Sequence, residues 1–167
     1  MFLQLQMPEF FNVSRWPGVQ RLGSGGLYLR GRDLSGVLAL GELPPSVENI
    51  DLNGNSRLDV KVSGVMVKVL RLGNCNMRTF DFPALRGSAV ESLFLDLNPM
   101  QSGDLAVLNG TAVEALDLAH TSSSKEDTDW SRLARMRAQG EIRLDEVIFD
   151  CCEGSMKWDN DSQSFHV

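Results

Sequence analysis

One short pattern recurs along this chain at nearly constant intervals, and it constrains the fold more than any other feature. The segments Val47–Leu52, Val67–Leu72, Val90–Leu95 and Val113–Leu118 all read Val-x-x-(Ile/Leu)-x-Leu. Upstream, Leu27-Tyr28-Leu29 fits the last three positions of the same frame. With Leu27, Ile50, Leu70, Leu93 and Leu116 as anchors, the successive spacings are 23, 20, 23 and 23 residues. Five residues beyond the anchors stand Arg32, Asn55, Cys75, Asn98 and Thr121. Two further on come Leu34, Arg57 (with Leu58 one place late), Met77, Met100 and Ser123. Self-similarity at such a period means stacked units, none of which buries its own apolar face alone.

The combined spacing of aliphatics and of the Asn/Cys position resembles the leucine-rich-repeat family, whose core pattern is L-x-x-L-x-L-x-x-N/C-x-L. The match runs over about residues 24–123. Leu34-Ser-Gly-Val-Leu38 followed by Leu43-Pro-Pro-Ser46 is similar to the Leu-Ser-Gly…Leu-Pro phrasing of plant-type and protist repeats. The resemblance implies an α/β solenoid with a parallel sheet of short strands on the concave face. It also implies a convex side of turns and irregular segments with little helix, and a protein-binding role.

The chemistry of the residues agrees with such a coil. In Leu-x-Leu both aliphatics point the same way from a strand, while the residue between them faces out. Stacked strands then form a sheet with one buried face. Where the chain turns off the strand, backbone groups are left inside and need partners. An Asn side chain carries both donor and acceptor and can bridge successive coils; Cys and Thr do so in part. Asn55, Cys75, Asn98 and Thr121 are therefore expected to form a structural ladder, and Arg32 marks an atypical first coil. Prolines and glycines on the return side oppose a long helix and favour turns, extended pieces or short 3-10 segments. Leu38, Leu40, Leu43, Phe80, Phe82, Leu85, Leu105 and Leu108 are expected to fill the core from there.

The organisation read from the sequence has three parts. Residues 1–23 form an N-terminal cap or a degenerate coil: Leu3-Gln-Leu5 lies 24 residues before Leu27, and Phe10, Phe11, Trp16 and Leu22 could cover an open core end. Residues 24–123 hold about five repeats. Residues 124–167 form a C-terminal cap and a polar tail. In that cap, Asp127 or Asp129 could start a helix from about Trp130 to Arg137, ended by Gly140. Glu141–Phe149 reads as a strand, with Ile142-x-Leu144 as a possible final anchor.

Composition excludes several functions. The 16 basic and 22 acidic side chains leave a net charge of −6, against the Lys/Arg excess that nonspecific nucleic-acid binding requires. No apolar run approaches the ~18 residues of a membrane span, and Met1–Met7 lacks the basic start and unbroken apolar core of a secretory signal. An intracellular location, in cytoplasm or an organelle, is the corresponding expectation, with the sequons at Asn12, Asn109 and Asn160 read as chance.

Catalytic and metal-binding sets are thin. The only histidines are His120 and His166, and no nucleophile elbow, P-loop or His-Glu-x-x-His occurs. Cys151 and Cys152 are adjacent and lack the Cys-x-x-Cys spacing of zinc or redox sites. Asp127-Thr-Asp129 and Asp159-Asn-Asp161-Ser162 lack the glycine and glutamate of calcium loops. Gly23-Ser-Gly-Gly26 precedes a strand, with no helix N-terminus to bind phosphate. No enzyme, metal or cofactor is expected.

The informative surface is the outer face of the sheet. The mid-strand positions form a column, Tyr28, Asp51, Arg71, Phe94 and Asp117; a second column reads Arg30, Asn53, Gly73, Asp96 and Ala119. Aromatics beside Arg and Asp have the composition of interface hot spots. Partner-binding candidates are Tyr28, Arg30, Asp51, Arg71, Phe94, Asp96 and Asp117, with Asp51 and Arg71 on adjacent rungs able to pair. The leading expectation is a non-catalytic module that binds protein through this face. The alternative is an accessory subunit packed within a large multiprotein assembly.

Overall fold

Strands are the main regular elements among the described residues, and the pattern of apolar residues explains how they are arranged. The computed structural model describes residues 10–11, 25–43, 46–150 and 154–167. It is a mixed α/β structure whose largest element is an eight-stranded, mostly parallel sheet. Eleven strands are described: β1 (Phe10–Phe11), β2 (Gly25–Tyr28), β3 (Ser35–Ala39), β4 (Val47–Asp51), β5 (Arg57–Lys61), β6 (Val69–Arg71), β7 (Ser92–Phe94), β8 (Ala115–Asp117), β9 (Glu146–Asp150), β10 (Gly154–Asp159) and β11 (Ser164–His166). The large sheet has the order β11-β10-β9-β8-β7-β6-β4-β2, and β1, β3 and β5 form a separate three-stranded parallel sheet.

The anchors set the register. Leu27 pairs with Ile50, Ile50 with Leu70, Leu70 with Leu93 and Leu93 with Leu116, all in parallel. Each anchor is buried, as are the aliphatics two places later in the next three frames, Leu52, Leu72 and Leu95. Leu38 and Val60 of the small sheet belong to the same core as Ile50 and Leu70 of the large one, so the core lies between the two sheets.

The return segments change character along the chain. The first two carry β3 and β5, with Leu58 and Val60 alternating inward along β5. Later ones use 3-10 turns, Phe82–Leu85 and Leu105–Leu108, each burying its first and last residue. Three residues per turn place those two side chains on one side, and Pro83 opens the first of these turns. The expectation of a mostly irregular return side therefore understated its order, because β3 and β5 pair over five residues. Leu38, Leu40, Phe82, Leu85, Leu105 and Leu108 are buried, while Leu43 and Phe80 are partly buried against the core.

Two glycines on these return segments should respond differently to alanine. A Cβ at Gly41 would collide with the backbone carbonyl of Ser63, whereas one at Gly87 would meet nothing but would sit at φ +75°. Backbone cannot swing aside as a side-chain tip can, so Gly41→Ala should cost about 3 kcal/mol. Gly87→Ala should cost about 1 kcal/mol through left-handed strain. Urea unfolding of the two variants checks the order, and equal losses would contradict it.

The C-terminal region contains a helix close to the expected bounds and departs from expectation in the strand and the tail that follow it. A helix, α1 (Trp130–Ala138), begins where Asp129 accepts a hydrogen bond from the Arg132 amide. The following strand does not start at Glu141 but at Glu146, and Leu116 pairs with Val147, not with Ile142 or Leu144. Leu144 is buried instead at the place Val113 takes in the preceding unit: Asp145 and Glu146 donate to Glu114 as Glu114 and Ala115 donate to Glu91. The frame is therefore Leu144-x-x-Val147-x-Phe149, 31 residues after Leu116. The tail read as polar folds into the β10–β11 antiparallel hairpin, with Phe165 buried and packed on Trp130 and Trp158. Leu3, Leu5, Asn12, Trp16, Leu22, Gly23, Cys151 and Cys152, and the side chains of Phe10 and Phe11, lie outside the described residues. Among the described residues no helix is long and apolar enough to cross a membrane.

Candidate functional site

The turn after each strand determines how firmly the outer face is held. Asn55 is buried and uses every polar atom: its Nδ2 donates to the carbonyls of Leu29 (2.9 Å) and Leu52 (2.6 Å), and its Oδ1 accepts from the amides of Arg32 (3.2 Å) and Leu34 (3.0 Å). Asn98 repeats this arrangement two intervals, or 43 residues, later. It donates to Leu72 (2.8 Å) and Leu95 (2.9 Å) and accepts from Cys75 (2.9 Å) and Met77 (3.0 Å). Cys75 donates its thiol to Leu52 O at 3.3 Å, and burial pushes that thiol above its ordinary value. Thr121 bonds Leu118 O and the Ser123 amide, both within its own turn. The asparagines thus stitch neighbouring turns together more completely than the cysteine, and the threonine closes only its own.

On the outer face, the register aligns Tyr28, Asp51, Arg71, Phe94, Asp117 and Ile148 in one row. Ile148 had no sequence signal, because the long insertion before β9 displaced its frame. A parallel row of smaller residues runs alongside: Gly26, Asn49, Val69, Ser92 and Ala115, ending at Glu146. The Tyr28 ring folds back over Gly26, where a Cβ would lie 2.7 Å from Cζ, yet Tyr28 stays 64% exposed. Arg71 stacks on Phe94 with its guanidinium carbon 4.5 Å from the ring centroid.

Asp51 and Arg71 do not form the ion pair that adjacency suggested. Asp51 accepts from the Asn53 amide at 3.0 Å, and Asp117 accepts from the Ala119 amide at 2.9 Å. A carboxylate at the end of a strand finds the amide two residues on without side-chain reorganisation. Arg71, left without that partner, covers the aromatic face, which attracts a cation.

In the second row, Asn53 accepts from the Gly73 amide at 2.7 Å, and the Asp96 carboxylate lies over Gly73. A Cβ at Gly73 would stand 2.5 Å from Asp96 Oδ1, so the glycine makes room for the acid. Burial, followed by the charge of Asp117, raises the Asp96 carboxyl above its ordinary value, while Arg30 and His120 act in the opposite direction. Arg30 and His120 are exposed.

The sign of this shift defines a pH dependence. A carboxyl whose value is higher in the folded chain favours folding only while protonated, and that contribution is lost as pH rises through the folded value. Asp96→Asn should therefore raise the thermal midpoint at pH 7, with the gain shrinking as pH falls through the carboxylate range. A gain that grows towards low pH would contradict this account.

The face brings Tyr28, Asp51, Arg71, Phe94 and Asp117 together in one row, with Arg30 and Asp96 in the next. His166 lies elsewhere, exposed on the C-terminal hairpin and hydrogen-bonded to Ser162 and Ser164. The Asp159 carboxylate, bonded by Ser162 and the Asp161 amide, ties that turn and is held below its ordinary value. In comparisons with known proteins, no protein-family model, no curated protein and no solved structure matches this chain.

Proposed function

We propose that this chain is a leucine-rich-repeat solenoid that binds a protein partner, without catalysis, through the exposed face of its large sheet. The repeat reading rests on the anchor spacing together with the bridging hydrogen bonds of Asn55 and Asn98. The binding reading rests chiefly on one observation: a single row of the open face holds Tyr28 at one end and the Arg71–Phe94 stack about 10–14 Å away, at two to three strand spacings. Aromatic and arginine anchors of this kind supply most of the energy of protein interfaces. Small neighbours at Val69, Ser92 and Ala115 leave the anchors accessible from the side.

The test is site-specific photo-crosslinking in the native extract. A photoreactive residue replaces Asp51 or Asp117 on the face, or Asp59 on the opposite sheet as control. Adducts of one defined partner from the face positions alone are expected. Equal adducts from Asp59, or none from the face, would overturn the reading, and adducts from every position would favour an accessory subunit enclosed on all sides.

A further inference from the structure

The large sheet ends at β11, and among the described residues no strand pairs with its outer edge. An edge strand presents unpaired backbone donors and acceptors and is a template for another strand. Beside this edge, between β11 and α1, runs a groove of about 520 Å³ lined by Trp130, Ala134, Arg135, Ala138 and Phe165. Trp130 and Phe165 pack at 5.3 Å between ring centroids and form its apolar floor. A ninth strand laid against β11 would direct alternate side chains towards α1, where Ala134 and Ala138 leave room for them.

Charge identifies what such a strand should carry. In a chain of net charge −6, α1 concentrates three arginines. Asp104 holds Arg132 at 2.9 Å and Asp145 holds Arg137 at 2.7 Å, while Arg135, at the groove, is in no ion pair among the described residues. We propose that the β11 edge and the α1 groove form a second docking site, which captures an extended peptide by strand addition. The peptide carries apolar side chains at alternate positions for the groove and an acidic flank for Arg135. Main-chain bonds supply affinity in this mode, and pockets for alternate side chains supply selectivity.

The probe is an end-blocked synthetic peptide, Asp-Glu-Val-Thr-Val-Ser-Val-Thr, compared with a version in which Lys-Lys replaces Asp-Glu. Fluorescence anisotropy measures binding, and amide chemical shifts locate it. The acidic probe should bind the full chain more tightly than the basic one, with shifts confined to 130–138 and 163–167. Ala134→Arg, which fills the groove from a half-buried position on α1, should weaken binding at least about tenfold, or about 1.4 kcal/mol, with the thermal midpoint read alongside to show that the fold persists. Arg135→Glu should reverse the preference between the probes, and Asp59→Asn, on the small sheet, should leave the affinity for both probes unchanged. Unaltered affinity in Ala134→Arg, or no preference between the flanks, would overturn the proposal. So would dimerisation of the free chain that Ala134→Arg abolishes, since the occupant would then be a second copy. Protection from exchange, without peptide, of those β11 amides that face away from β10 would place an internal segment on the edge, with the same consequence.

Discussion

Asn98→Ala should lower the stability of the chain by about 3–5 kcal/mol, a large share of the ~5–15 kcal/mol typical of a folded domain. The side chain is buried and makes four short hydrogen bonds, to Leu72 O, Leu95 O, Cys75 N and Met77 N. Alanine would leave those two carbonyls and two amides without their partner in a site closed to solvent. A buried group orphaned in this way costs about 1–3 kcal/mol, more than the net value of the bond it made. The bonds also join two turns of the chain, so their loss weakens the register between β6 and β7. Thr121→Ala is the comparison: it removes contacts only to Leu118 and Ser123, and about 1 kcal/mol should be lost. Urea unfolding of both variants decides the matter. A cost for Asn98→Ala no greater than that for Thr121→Ala would mean that water replaces the amide and that the bridging bonds are not central.

Binding should respond most strongly to Tyr28→Ala combined with Phe94→Ala. Each truncation should weaken capture of the crosslinked partner by about tenfold or more, as expected for aromatic anchors. The two residues stand three strands apart, about 14 Å, beyond the range in which neighbouring substitutions interact, so the effects should multiply to about a hundredfold. Phe94→Ala also removes the ring under Arg71, releasing the guanidinium from a fixed position. Arg71→Lys separates the two contributions, because lysine keeps the charge and loses the planar stack. The thermal midpoint should hardly move in any of these variants, since the buried side of β7 is carried by Leu93. An unchanged affinity in the double variant, with the fold intact, would remove the outer face from consideration as the interface.

Much of this arrangement was legible in the residues. The anchors from Leu27 to Leu116 pair in the register that their spacing implied, because one strand period fits one apolar-polar-apolar triplet. The helix after Asp129 was legible for a similar local reason, a side-chain oxygen within reach of the Arg132 amide. The last strand was not. Ile142-x-Leu144 and Leu144-x-x-Val147 both satisfy the apolar pattern, and the choice between them depends on where the chain returns after α1. Backbone bonds from Asp145 and Glu146 to Glu114 O make that choice, and they span about 30 residues of sequence. The hairpin within the polar tail was not legible either, because Trp158 and Phe165 acquire a partner only when Trp130 arrives from the helix.

The sequence by itself determined the repeat interval, the buried face of each strand of the large sheet from β2 to β8, and the rows of side chains on the opposite face. These follow from periodicity, which is a property of the backbone and needs no knowledge of distant neighbours. Only the tertiary structure decided what the row residues do with one another: Asp51 bonded to its own turn, Arg71 on Phe94, Asp96 over Gly73. It also decided that, among the described residues, β11 is the last strand of the sheet on that side, beside the groove against α1. A side chain's partner is chosen by competition among all groups within a few ångströms, and strand order along the chain does not reveal which groups those are.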